Sequence, residues 1–409
     1  MKKIKLLLSL IILIIAGGIA AFGYIQGWFN FNKKQTTEDK VVVADKLQIH
    51  FLELGNEYTG DCTYIKAGDV DILIDAGSRK GSAKTIAEYV KKFCTDGKLE
   101  YVIATHAHQD HIAGFVGSTS ASAKPEDKGI FRQFEVGTLI DFSLTDATSQ
   151  LYTDYLGEVE YAVSQGAVHK QAHEYFENGV SNVITLSDGI TMTILWNKYY
   201  FEKSSDENNY SVCTLFTAGN NNFLLTGDLE KEGEEAIAHH YDGSTKELTL
   251  PKCKLFKAGH HGSPSSSNDC LLEKIQPEIC CVCCCAGSPE YTNNSDNMFP
   301  SQEFVNRIAK YTDQVYVTSM LAYDAEEDDW TVKSMNGNIV LICQDGNVTM
   351  EASKNMTKLK DTDWFNEEIW YKLVDGNKIV ANKKGSTDFY NESTSGAIKG
   401  PRRTWPGKE

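Results

Sequence analysis

Three histidines and one aspartate fall within six residues at the end of a short apolar run, and that juxtaposition restricts the fold more than any other feature. The run is YVIAT, 101–105, and the cluster is His106, His108, Asp110 and His111 in THAHQDH. A strand that stops at such a loop can turn His106 and His108 to one side while Asp110 and His111 reach a second point close by. Imidazole nitrogens and carboxylate oxygens are the ligands that Zn²⁺ prefers. The chain has only 10 histidines in 409 residues, so a solvated polar loop is a poor account of this grouping.

Around the cluster, period-two apolar runs alternate with helical stretches. Strands are expected at 47–54, 62–66, 70–75, 101–105, 138–142, 183–186, 191–196, 212–217, 223–226, 255–258, 315–318 and 339–342. Helices are expected at 83–93, 149–165, 229–241, 270–275 and 302–311. This order implies a layered α/β domain over 46–354. The chain has 11 cysteines, five of them in ICCVCCC as Cys280, Cys281, Cys283, Cys284 and Cys285. Neighbouring strand residues point to opposite faces, so these five cannot all meet disulfide geometry. The run reads instead as a buried strand with Cys as a small hydrophobe.

Lys+Arg number 40 and Asp+Glu 56, a net charge of −16. Such an excess disfavours a surface that holds extended nucleic acid by neutralising phosphates. An anionic substrate would need local positive charge, and a bound metal could supply it. The basic start MKKIK and the apolar stretch after it make 1–30 a single-pass membrane helix that exports the rest, or a signal cleaved at the small residues of 16–21. Residues 31–45 are then a polar stalk and the catalytic domain is extracytoplasmic, anchored in the cell membrane or secreted. Residues 355–409 form a C-terminal extension with a possible hairpin in EIWYKLVDGNKIVA, 368–381, and a frayed tail from 396. No protein partner is readable.

The HxHxDH pattern of His106, His108, Asp110 and His111, followed by Asp228 in LLTGDL and by His260 and His261 in KAGHHGS, resembles the metallo-β-lactamase superfamily over most of 46–351. FLELG, ILIDAG, NNYS, LLTGD and HHGS together resemble more narrowly the branch of competence-type DNA-uptake hydrolase domains and secreted phosphorylcholine esterases. The resemblance implies an αββα sandwich, here with an N-terminal transmembrane helix, and two divalent metal ions, Zn²⁺ being the expected pair. It implies that His106 and His108 hold one ion, that Asp110, His111 and one of the two adjacent histidines hold the other, and that Asp228 bridges. His260 is the favoured ligand, with His261 a proton donor beside it, although the order can be reversed. Catalytic roles are thus expected of Asp110 and His261. Ions about 3.5–4 Å apart can share a hydroxide and clamp a phosphoester.

The resemblance has gaps. A third histidine usual on the first metal is replaced by Asn208, Asn209 and Ser211, while His169 and His173, four apart in an expected helix, precede that position. Met298-Phe299-Pro300 stands where branch relatives carry His-Pro. Asp75 is expected to orient a ligand histidine or to form a turn. Asp61 matches a Gly-Asp pair in a longer loop, and Lys257 is expected either to reach a substrate phosphate or to be solvated. The resulting expectation is metal-dependent hydrolysis of a phosphodiester, small or locally gripped. The rivals are hydrolysis of a lactam or other acyl bond, and a non-catalytic surface protein that keeps the metal site for binding or stability.

Overall fold

The computed structural model describes residues 45–58, 60–244, 248–288, 298–324, 329–366, 372–375, 378–381 and 403–407. The expected membrane segment and all of the stalk but Asp45 lie outside them. Among the described residues no helix is long and apolar enough to cross a membrane.

Two eight-stranded mixed sheets carry the fold. The first contains β1 (Leu47–Phe51), β2 (Thr63–Ala67), β3 (Val70–Ile74), β4 (Lys98–Ile103), β5 (Glu135–Asp141) and β6 (Val168–Gln171). The second runs from β7 (Val183–Ser187) through β8 (Ile190–Ile194), β9 (Thr214–Ala218), β10 (Asn221–Leu225), β11 (Leu255–Lys257), β12 (Ile279–Ala286) and β13 (Val315–Asp324) to β14 (Asp329–Ser334). The chain then returns to the first sheet, where β15 (Ile339–Gln344) pairs with β1 and β16 (Asn347–Ala352) forms the edge. β3, β4, β5 and β6 are parallel neighbours, and so are β10, β11, β12 and β13. Parallel pairing requires crossovers. α1 (Ser82–Val90), α2 (Gln109–Val116) and α3 (Gln150–Ser164) provide them in the first sheet, and α4 (Lys231–His240), α5 (Asp269–Ile275) and α6 (Gln302–Ile308) in the second. The Ser149 hydroxyl starts α3 by accepting the Tyr152 N–H, a side-chain cap.

Alternation along the central strands sorts the core into layers. Phe223, Leu225, Leu255, Cys281 and Cys283 join the cluster that includes Ile49, Ile72 and Val102 of the first sheet. Leu224, Phe256, Cys280, Val282 and Cys284 point the other way, onto Ile237, Leu272, Ile275, Phe304 and Ile308 of α4, α5 and α6. All eight residues of β12 are buried, and all 11 cysteines are free thiols. Burial holds the Cys283 thiol up at about 12, so this strand is hydrophobic packing.

Two local expectations change. His169 lies on β6, where its Nε2 is 2.9 Å from the Asp141 carboxylate, and His173 follows in a 3₁₀ turn. They share no helix face, because Val168–Gln171 is extended and pairs with β5 at the edge of the sheet. The terminal residues described are docked rather than frayed. Arg403 is buried and donates to the carbonyls of Pro300 and Met298, and Trp405 enters the second core. Lys372–Asp375 and Lys378–Ala381 form a separate antiparallel pair, β17 and β18.

Candidate metal centre

The parallel strands deliver their C-terminal ends to one place: Asp75 follows β3, His106 follows β4, Asp228 follows β10, and His260 and His261 follow β11. The turn after β10 depends on Gly227, whose φ is +56° and where a Cβ would lie 2.9 Å from that of Thr105. Only glycine adopts this backbone without strain and leaves the space. Asp75, His260 and His261 are non-glycine residues at φ +59°, +42° and +54°. Strain of this sort clusters at functional sites.

Asp110, His111, Asp228 and His261 each direct one ligand atom into a space less than 4.8 Å across, and all four are buried. The Asp228 Oδ2 lies 3.0 Å from His111 Nε2 and 3.2 Å from His261 Nε2. His261 Nε2 is also 3.2 Å from Asp110 Oδ2. Alongside, His106 Nε2 and His108 Nδ1 are 3.0 Å apart, and the His106 and His111 rings are separated by 4.1 Å. The six groups therefore converge as two adjoining sets.

Backbone and carboxylate contacts fix which nitrogen faces inward. His111 Nδ1 contacts Asp75 Oδ2 at 2.7 Å, and Asp75 is itself held by the N–H and hydroxyl of Thr105. His261 Nδ1 donates to the Cys283 carbonyl at 2.9 Å, with Asp61 Oδ1 at 3.3 Å. A partner on Nδ1 leaves Nε2 to bind an ion. His260 is turned away: its Nδ1 meets Glu230 Oε1 at 2.6 Å, and its Nε2 is 4.0 Å from Asp228 Oδ2. The sequence reading placed His260 among the ligands and His261 beside them, and the geometry puts His261 in the cluster and His260 at its margin.

Electrostatics in the protein alone fit a site made for cations. Burial opposes charge on His111 and His261, yet the facing carboxylates, Asp228 foremost, hold both well above the usual imidazole range. Burial opposes ionisation of Asp110 and Asp228 too, and the same two histidines overcome it. His106 is pushed far below the ordinary value by burial and then by His111 and His108. Asp228 Oδ1 is buried without a hydrogen-bond partner. An orphaned carboxylate oxygen at the centre of a nitrogen and oxygen donor set is what a divalent ion would satisfy.

The missing third histidine has a structural counterpart. The Ser211 hydroxyl accepts the Asp228 N–H at 3.2 Å and lies 3.5 Å from His106 Nδ1. Asn208 Nδ2 reaches Glu230 at 3.5 Å. Phe299 packs its ring 5.5 Å from that of His260 and 6.0 Å from that of His261, an apolar wall beside both. Lys257 corrects both expectations held for it, since it is buried and paired with Asp61. Sequence reasoning missed Glu230, although it stands two residues beyond Asp228 in LLTGDLE, and it missed Glu207, which accepts from the Ala107 N–H inside the histidine loop.

The model of the metallo-beta-lactamase superfamily matches residues 55–128, which include Asp61, Asp75 and the whole histidine loop. Over that stretch the chain resembles that superfamily. Recombination protein 2 of Haemophilus influenzae is 28% identical over 275 residues, 67% of this chain and 28% of the relative. ComE operon protein 3 of Bacillus subtilis is 31% identical over 78 residues, 19% of this chain and 9% of that protein. The chain thus spans under a third of the length of either relative. Among solved structures, the metallo-beta-lactamase fold protein YhfI of Bacillus subtilis aligns with 71% of this chain and 100% of its own at 11% identity and a TM-score of 0.38. The matched stretch thus contributes Asp110 and His111 to the buried His/Asp group that could hold a metal ion.

Proposed function

We propose that the protein hydrolyses a phosphodiester with two divalent cations, Zn²⁺ by ligand type, and that the paired sets around Asp228 are its active site. The observation that carries this reading is Asp228, whose Oδ2 faces both His111 and His261 while its buried Oδ1 has no hydrogen-bond partner, with His106 and His108 adjoining. In this assignment His106 and His108 would hold one ion, Asp110, His111 and His261 would hold the other, and Asp228 would be available to both. Bound there, the ions would supply Lewis acidity and concentrated positive charge towards the phosphoester oxygens. That charge is what a chain at −16 otherwise lacks.

The side chains divide the remaining work. Asp75 and the Cys283 carbonyl hold His111 and His261 with Nε2 inward. Glu230 orients His260 through Nδ1, leaving its Nε2 to pass a proton to the departing oxygen. Phe299 keeps water from one side of the two histidines. A relative named for recombination is compatible with a phosphodiester. Membrane anchoring through 1–30 and an extracytoplasmic site remain part of the proposal, as does a small or locally gripped substrate.

The test joins metal analysis to a substrate panel of phosphodiester, phosphomonoester and lactam. Turnover of the diester should vanish in His108→Ala and Asp228→Ala while folding persists. His260→Ala should keep its metal and lose about 10²–10⁴ in turnover, the usual worth of a positioned proton donor. His261→Ala should lose metal. A fully metallated protein that turns over only the lactam sinks the proposal.

A further inference from the structure

Lys257 is the last residue of β11, and its direction follows from the strand period. Leu255 faces the layer between the sheets and Phe256 the outer helices, so Lys257 points between the sheets, where its register neighbours are Leu225 and Cys281. An ammonium in such a place needs a carboxylate. Asp61, from the loop before β2 in the opposite sheet, supplies it, and the two side chains are 3% and 2% exposed.

Asp61 touches both halves of one ligand set. Its N–H donates to the Asp110 carbonyl at 3.0 Å, and its own carbonyl accepts the Gly77 N–H at 2.9 Å. Its Oδ1 lies 3.3 Å from His261 Nδ1. Asp110 and His261 are 151 residues apart and follow strands of different sheets, β4 and β11, and this residue is in contact with each. Lys257 compensates the Asp61 charge, leaving Asp75, Asp110 and Asp228 as the carboxylates whose charge the site's cations would balance.

We propose that Asp61 and Lys257 are a positioning pair that sets His261 against Asp110, and so controls the affinity of one of the two metal positions. The proposal rests on the two-metal reading above. A buried ion pair is commonly no more stabilising than apolar residues of similar size. Stability alone is therefore a weak reason for placing it here, and metal affinity can be separated from folding.

The test is Zn²⁺ titration of metal-stripped, full-length protein against a chromophoric chelator, with thermal melts of the metal-free forms. Wild type should take two equivalents. Asp61→Asn, and the paired variant Asp61→Leu with Lys257→Met, should hold one of the two ions as tightly as wild type and the other about 10- to 100-fold more weakly. The metal-free melting temperature of the paired variant should hold or rise, and that variant carries the test if Asp61→Asn does not fold. Unchanged affinity for both ions overturns the proposal. So does equal weakening of both ions, or weakening that tracks a fall in the metal-free melting temperature, because each marks a merely structural pair. A wild type that takes fewer than two ions overturns the two-metal reading, and the positioning role with it.

Discussion

His111 and His261 each face carboxylates that hold a proton on the ring when no cation is present. A metal ion must displace those protons, so binding should release them and should strengthen as pH rises. Calorimetric titration of Zn²⁺ in buffers of different ionisation enthalpy measures the release, and a buffer-independent heat would contradict it. The same shifts set the stability of the metal-free fold. A raised histidine stabilises fully below its unfolded value, about 6.5, and the contribution is lost as pH rises through the higher folded value. Asp110 and Asp228, held low, stabilise above the ordinary carboxylate range and cease to do so as pH falls through their depressed values. Metal-free protein should therefore lose stability on the alkaline side of neutrality, and metal-loaded protein should not share that loss. Melting curves at stepped pH with and without chelator decide the point.

At the scale of the element, β12 makes the clearest claim. Cys280, Cys281, Cys283, Cys284 and Cys285 are buried, whereas Cys270 on α5 is only partly so. Burial raises the Cys280, Cys281 and Cys283 thiols above their usual range, and the thiolate is the reactive form. A disulfide reagent should modify Cys270 slowly, leave the β12 thiols untouched in native protein, and find all 11 after denaturation. Rapid native reaction of several thiols would mean that the strand is not packed as described. This strand was legible in sequence because its flanking turns and its composition allowed no other element. The histidine loop was legible because HxHxDH is local, its four residues running from the loop after β4 into the first turn of α2. The order of His260 and His261 was not, because it depends on a left-handed backbone at both positions and on Glu230 and Cys283, contacts made by other elements. Lys257 could have been read inward by counting two from Leu255, but its partner Asp61 is nearly 200 positions away and no local pattern joins them.

On the scale of the whole molecule, the chain closes over its own site from the far end. Thr404 exchanges hydrogen bonds with the Gln302 side chain at the start of α6, 2.7 Å and 2.8 Å long. Arg403 binds the carbonyls of Met298 and Pro300, which flank the Phe299 wall beside His260 and His261. Trp405 packs 6.0 Å from Phe365. Composition suggested a tail here because charge and glycine surround these three residues; burial is decided instead by the unfilled outer face of the second sheet. Trp405→Ala removes a large buried ring and should cost about 3–5 kcal/mol, measured by urea unfolding of chelated protein. Arg403→Ala leaves two buried carbonyls short of donors, so it should destabilise by about 1–3 kcal/mol and, by freeing the segment that carries Phe299, lower diester turnover more than metal content. If both variants unfold like wild type, the C-terminal residues do not brace the wall, and Phe299 must be held by the second core alone.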